Sequence, residues 1–318
     1  RYTRNEGFIE LFGVLMFFAV LRHLDKGDTF SLFLLTGSIV FHFASKETAF
    51  IYVAQLLVFL MILFLMEVQR AQHNNPERFR RFLFLVFMAM LLLFGAIGYG
   101  FLTAKAAPEG EAAAEGAAAV DSLRILLEGG VILAALALSA VAFAGLIRDF
   151  GWKQISKLRS FNLLILSATL VLPQLSAFPV KMVGWNPLDY STPGMLRTSV
   201  FLVLFLVISA AIGLLWNRKL WLMNAFFFYA VYIFLYTTMF TNCQGFFTGT
   251  IGSLGYWLSQ QGVNRGSQPL YYFALIEMPI YEFLALAGSF LALVFALRHD
   301  RFSHLPGLNP AAAEALPL

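Results

Sequence analysis

Nine apolar runs govern what this chain can become: 7–24, 30–45, 49–68, 82–103, 125–147, 161–180, 198–216, 222–240 and 270–297. Crossing about 30 Å of hydrocarbon takes roughly 20 helical residues, and all but the short run 30–45 approach or exceed that length. In lipid every backbone N–H and C=O must find its partner inside its own segment or in a closed barrel. None of these runs alternates with period two, so each reads as a helix. The expected fold is all-α, a polytopic transmembrane helical bundle of about nine spans over residues 1–301, followed by a Pro/Ala-rich tail at 302–318. A composition of 59% hydrophobic and 13% charged residues, with a mean hydropathy of +0.75, excludes a soluble globular domain.

A net charge of +4 would suggest nucleic acid for a soluble domain. Here the basic residues sit between spans, where they set orientation, and no nucleic-acid partner is expected. Alternate span ends that include Arg22, Lys26, Arg78, Arg80, Arg81, Arg148, Lys153, Lys157 and Arg159 hold 14 of the 22 Lys and Arg, against 8 at the opposite ends. The richer set reads as cytoplasmic. The single cysteine, Cys243, excludes an internal disulfide framework and a thiolate metal site. The chain opens at Arg1 with neither an initiator methionine nor a signal-peptide pattern, and we expect it to be an internal fragment.

Unusual chemistry collects at the outward ends. Arg4 and Glu6 precede the first span, with Glu10 one helical turn below Glu6. Ser45-Lys46-Glu47-Thr48 joins spans two and three, and the loop WNPLDYSTPG carries Asp189. Most distinctive is 252–272, GSLGYWLSQQGVNRGSQPLYY, which mixes Trp257, Tyr271 and Tyr272 with Gln260, Gln261, Asn264, Arg265 and Gln268. Hydrogen-bonding groups beside aromatic faces suit sugar hydroxyls, and the Arg265 fork suits a phosphate. The same mixture also suits an interfacial turn, since Tyr and Trp gather at headgroup level. The other outward connection, 104–121, is Ala/Gly/Glu-rich and reads as a flexible insertion without a catalytic role. Glu128, Glu277 and Glu282 lie within spans, where a carboxylate needs a partner or a wet cavity. Lone His42 reads as core packing, and no metal-ligand cluster is expected.

The stretch WLSQQGVNRGSQPLYY, the NPLDY segment before it, the YYFALIEMPIYEFLALAG run after it, RYTRNEGF at 1–8 and ASKETAFIYVA at 44–54 together resemble the flippase activity-associated membrane proteins. These are similar to the dolichyl-phosphate-mannose-protein mannosyltransferases of glycosyltransferase family 39. The resemblance covers most of the chain. It implies the GT-C membrane architecture and transfer of a sugar from a polyprenyl-phosphate carrier to a protein or glycan acceptor on the extracytoplasmic face of the cell membrane. It implies no cofactor beyond that lipid-linked donor, and leaves a divalent cation open.

On that basis Glu6 and Asp189 are the candidate catalytic acids. Arg4 or Arg265, assisted by Lys46, would hold the phosphate, and Glu47 would orient it or accept a sugar hydroxyl. Gln260, Gln261, Asn264 and Gln268 would hold sugar hydroxyls, with Trp257, Tyr271 and Tyr272 packing on the ring or the prenyl chain. The family's expected base lies in a first outward loop that this chain does not contain, so the fragment is expected to be inactive alone. A second class stays open at this point: a flippase for lipid-linked sugar, or a flippase-accessory protein, binding the same carrier without cleaving it.

Overall fold

A computed structural model of the chain describes residues 5–71, 76–104, 114–260, 272, 275–276, 278–281 and 283–298. No strand occurs among them. The helices are α1 Glu6–Lys26, α2 Thr29–Ser45, α3 Ala49–Ala71, α4 Pro76–Ala104, α5 Ala114–Phe150, α6 Arg159–Val171, α7 Thr192–Tyr236, α8 Ser253–Gln260 and α9 Phe283–Arg298. α6 continues through a 3₁₀ turn, Leu172–Ser176, into Ala177–Met182, and Pro173 in that turn accounts for the change of pitch. Six of the described helical segments are long and apolar enough to cross a membrane, and Thr29–Ser45 is a shorter apolar helix. The architecture is that of a multi-pass helical membrane protein.

The distribution of side chains agrees. Phe226 is 78% exposed and Leu215 76%, whereas Thr36 and Asn224 are fully buried. Apolar groups face outward and paired polar groups tie helices together inside, since lipid offers no hydrophobic drive for helix association. Thr36 Oγ1 donates to Asn224 Oδ1 at 2.8 Å, joining α2 to α7. α7 reverses on itself. Ser209 donates to the Thr169 carbonyl and Trp221 Nε1 to Thr169 Oγ1 at 3.0 Å, yet 12 residues of straight helix would span about 18 Å. The break is at Asn217, in extended backbone (φ −156°, ψ 100°), and the side chain of Asn217 accepts from the Leu220 amide at 3.1 Å to restart the helix.

At the end of the bundle where α1 meets α2, Gly27 takes a left-handed φ of 67° and its amide closes α1 on the His23 carbonyl. Asp28 then caps α2 by accepting from the Ser31 amide at 3.0 Å, and pairs with Arg22 at 2.5 Å. Arg159 reaches in from α6, its Nη1 donating to the Leu24 and Asp25 carbonyls at 2.8 and 2.7 Å, a cation on the carbonyls a helix end leaves unpaired.

Two expectations shift. The insertion expected to be flexible at 104–121 is helical from Ala114, because its Ala-rich second half has the highest helix propensity available. The stretch 252–272, expected as a connector, opens with α8. This helix extends a chain of short helical pieces, Gln244–Phe247 and the π-turn Thr248–Gly252. Gly245, Gly249, Gly252 and Gly255 lie three or four apart along it, and a Cβ at the first three would overlap the Tyr236 carbonyl, the Tyr236 ring and the Tyr190 hydroxyl.

Two outcomes follow from this packing. Gly249→Ala should lower unfolding stability in mild detergent by about 1–3 kcal/mol, the usual cost of overpacking, whereas Gly95→Ala, whose new methyl meets nothing within 4 Å, should be neutral or slightly stabilising. Asp28→Ala should cost about 1 kcal/mol at pH 7 through the lost cap. Partial burial opposes ionisation of Asp28, but hydrogen bonds from Ser31 and Arg22 outweigh it and hold its carboxyl down at about 2. Its contribution is therefore complete above the ordinary carboxylate range and fades as pH falls towards 2, so the gap between wild type and Asp28→Ala should close over that interval in a pH series of unfolding midpoints.

Candidate functional site

The opposite end of the bundle gathers the polar segments. Lys46 follows α2 in extended backbone, its amide bonded to the His42 carbonyl at 3.2 Å, and the Ala49 and Phe50 amides close the turn on the Lys46 and Glu47 carbonyls. With so little spare chain, this turn meets the start of α1 directly. Lys46 Nζ lies 3.3 Å from Glu6 Oε1, and Asn5 Nδ2 donates to the Ser45 carbonyl at 3.4 Å. Both partners of the ion pair remain substantially exposed, at 40% and 49%. The pair is held loosely, and Lys46 is free to turn to a stronger anion.

The second polar group forms where the 183–191 loop packs on α8. Lys181 Nζ donates to the Leu258 carbonyl at 3.1 Å, and the Pro187 ring carbons lie 3.0 to 3.1 Å from where a Gly255 Cβ would be. Within the loop, Asn186 Oδ1 accepts from the Leu188 amide and Asp189 Oδ1 from the Ser191 amide, each at 3.0 Å. These are Asx turns, the structural role open to any Asn or Asp in such a loop. The hydrogen bonds from Ser191, with the charge of Arg197, hold the exposed Asp189 carboxyl below its ordinary range. A carboxylate so stabilised accepts protons weakly. It suits hydroxyl binding or charge placement better than general-base work. Arg197 lies over the Trp185 ring at 5.9 Å.

Tyr236, at the end of α7, connects the two groups. Its hydroxyl donates to the Phe43 carbonyl at 2.7 Å, just before the Lys46 turn. Its ring and its carbonyl lie against Gly249 and Gly245, where a Cβ would overlap them. Past it, Thr238, Met239 and Phe240 all take left-handed φ of 51°, 57° and 67°. Such backbone costs about 1–2 kcal/mol per residue. Local bonds hold it, with the Met239 amide on the Phe234 carbonyl and the Phe240 amide on Thr237 Oγ1. This turn brings the glycine face of 245–255 against Tyr236.

Of the sequence-predicted residues, Glu6 and Lys46 touch, Glu47 lies in the same turn as Lys46, and Asp189 belongs to the loop seated on α8. Among the described residues no hydrogen bond or ion pair joins Lys46 to Asp189. Trp257 and Tyr272 are exposed and Gln260 is half-buried. Arg4, Gln261, Asn264, Arg265, Gln268 and Tyr271 lie outside the described residues, as do Glu277 and Glu282. His42 is buried beside the Tyr52 ring at 4.6 Å, a packing position, and neither ring nitrogen has a hydrogen-bond partner among the described residues. Tyr236, Lys181 and Arg197 have no site role in the sequence reading. The spacing of Tyr229, Tyr232 and Tyr236, three and four apart on one helix face, was the available signal.

Tyr236→Phe should cost about 1 kcal/mol of unfolding stability. Adding Tyr236→Ala to Gly249→Ala should cost less than the sum of the two single changes, because removing the ring relieves its overlap with the new methyl; strict additivity in a double-mutant cycle would break this link.

Comparison with family models, with curated proteins and with solved structures finds no match.

Proposed function

We propose that the protein is a membrane glycosyltransferase of GT-C architecture with about nine spans, similar to the flippase activity-associated proteins. It would move a sugar from a polyprenyl-phosphate carrier to an acceptor hydroxyl at the extracytoplasmic face. The observation that carries this reading is the gathering of exposed, loosely held polar segments at one end of the bundle. The Glu6–Lys46 pair and the Asp189 loop on α8 are joined through Tyr236, while Thr36–Asn224 and the Thr169 cluster within the bundle are paired with one another. A carrier lipid with its tail among exposed apolar side chains and its phosphate at that end would meet cations and hydroxyl-binding groups together.

In this reaction the acceptor oxygen attacks the anomeric carbon as the bond from that carbon to the phosphate oxygen breaks. The acceptor's proton passes to a carboxylate, and polyprenyl phosphate departs with the bonding electrons. Lys46, released from Glu6, would neutralise the phosphate charge as it develops, an effect strongest where water is excluded. Glu6, beside Lys46 at the start of α1, would help to orient the phosphate or the acceptor hydroxyl. Asp189, held ionised by Ser191, would bind sugar hydroxyls, with Trp257 and Tyr272 offering aromatic faces and Gln260 a further amide.

The test is transfer of radiolabelled sugar from polyprenyl phosphate to acceptor in membranes carrying the full-length protein. Lys46→Ala should lower turnover about 100-fold, and Asp189→Ala should raise KM more than it lowers kcat. Lys153→Ala, at the other end of the bundle, should change neither. Transfer indifferent to Lys46→Ala and Asp189→Ala would remove the site, and sugar crossing the bilayer without transfer would replace the reaction with flipping.

A further inference from the structure

The basic residues at the other end of the bundle do more than set orientation. The first turns of α4 and the last turns of α5 diverge to leave a cleft of about 560 Å³. Its rim carries three guanidinium groups, Arg78, Arg81 and Arg148, against two carboxylates, Glu77 and Asp149. Asp149 is shared, its Oδ1 lying 3.4 Å from Arg78 Nη1 and 3.5 Å from Arg148 Nε. Those distances are long for charge-assisted bonds, and the two arginines are 54% and 78% exposed. Such pairs contribute little and give way to a better anion. Arg81 has no ion-pair partner among the described residues.

Below the rim the walls turn apolar, with Phe82 and Leu85 on α4 facing Val141, Ala142 and Leu146 on α5. Gly145 keeps the cleft open, since a Cβ there would meet nothing within 4 Å. Both helices continue from this rim as apolar spans, 77–96 and 129–150, which sets the guanidinium groups at headgroup depth and the walls beside the acyl chains. We infer that this cleft binds an anionic phospholipid, its phosphate gripped by Arg78, Arg81 and Arg148 and one acyl chain lying along the Phe82–Leu146 walls. A basic pocket between spans is the form that headgroup recognition takes, and the planar fork of arginine matches phosphate oxygens in pairs. The inference stands apart from sugar transfer, which would occur at the opposite end.

Binding is read on the full chain in mild detergent by thermal shift and by lipid adducts in native mass spectrometry. The probes are phosphatidylglycerol, phosphatidylcholine with the same acyl chains, and inorganic phosphate. Phosphatidylglycerol should raise the unfolding midpoint in a concentration-dependent way and persist as an adduct, while the other two should do neither. Arg78→Ala/Arg148→Ala should weaken the apparent affinity at least about tenfold. Gly145→Phe should do the same by filling the cleft with every charge in place, whereas Arg80→Ala, outside the lining, should have no effect. An equal shift with phosphatidylcholine, a full shift with inorganic phosphate alone, or adducts that survive both cleft variants would overturn the inference.

Discussion

In hydrocarbon no water stands ready to receive an unpaired backbone group. Every place where this chain stops being helical must therefore supply its own hydrogen bonds. The structure is legible as a series of such places. Where α1 ends, the Arg159 guanidinium takes two carbonyls and Asp28 takes an amide. Where α7 reverses, Asn217 takes an amide and Trp221 and Ser209 meet on Thr169. Where α2 gives way to α3, the three-residue turn is so short that Lys46 meets Glu6 at the start of α1. Polar side chains are costly in lipid, so they concentrate at these breaks, and the breaks fall at the two ends of the bundle.

The two ends are built differently. Around Arg159 the polar groups are paired and close-packed: Arg22 with Asp28, Ser160 with Glu67 at 2.5 Å, His23 with Ser31 at 2.9 Å. That end locks helices together, apart from the open cleft between α4 and α5. At the Lys46 end the pairs are longer and more exposed, the loop of Asp189 is a run of Asx turns, and three successive residues after Tyr236 take left-handed backbone. Strain and loose polar pairs belong together where a surface must exchange its partners for those of a ligand. Tyr236 makes this end one surface, because its hydroxyl, ring and carbonyl each touch a different segment.

Much of the bundle was readable in the chain. The apolar runs mark α1 to α3 within three residues and place α4 to α7, although α5 starts at Ala114 against 125 for its run and α9 at Phe283 against 270, and the break between runs at 217–221 marks the reversal of α7. The helix at 114–121 escaped because Ala-rich composition is common to linkers and helices, and only propensity separates them. α8 escaped because Gly255, Ser259 and Gln260 read as loop residues, whereas the glycines let Tyr236, Tyr190 and Pro187 approach the backbone closely. Of the candidate site, Glu6 with Lys46 could be anticipated from the shortness of the 45–48 turn. The part of Tyr236 could not, since a tyrosine ending an apolar run looks like an interfacial anchor until its partners are seen.

The central claim is that the turn at 45–48, the 183–191 loop and Cys243 share one membrane face, opposite the basic ends. Single cysteines at Glu47, Thr192 and Lys153 in a Cys243→Ser background, together with Cys243 itself, test it by labelling intact cells with a membrane-impermeant maleimide. The account predicts that Cys243 and the cysteines at 47 and 192 are labelled from outside, while the cysteine at 153 reacts only after the membrane is opened. Labelling of 47 and 192 from opposite sides would contradict it.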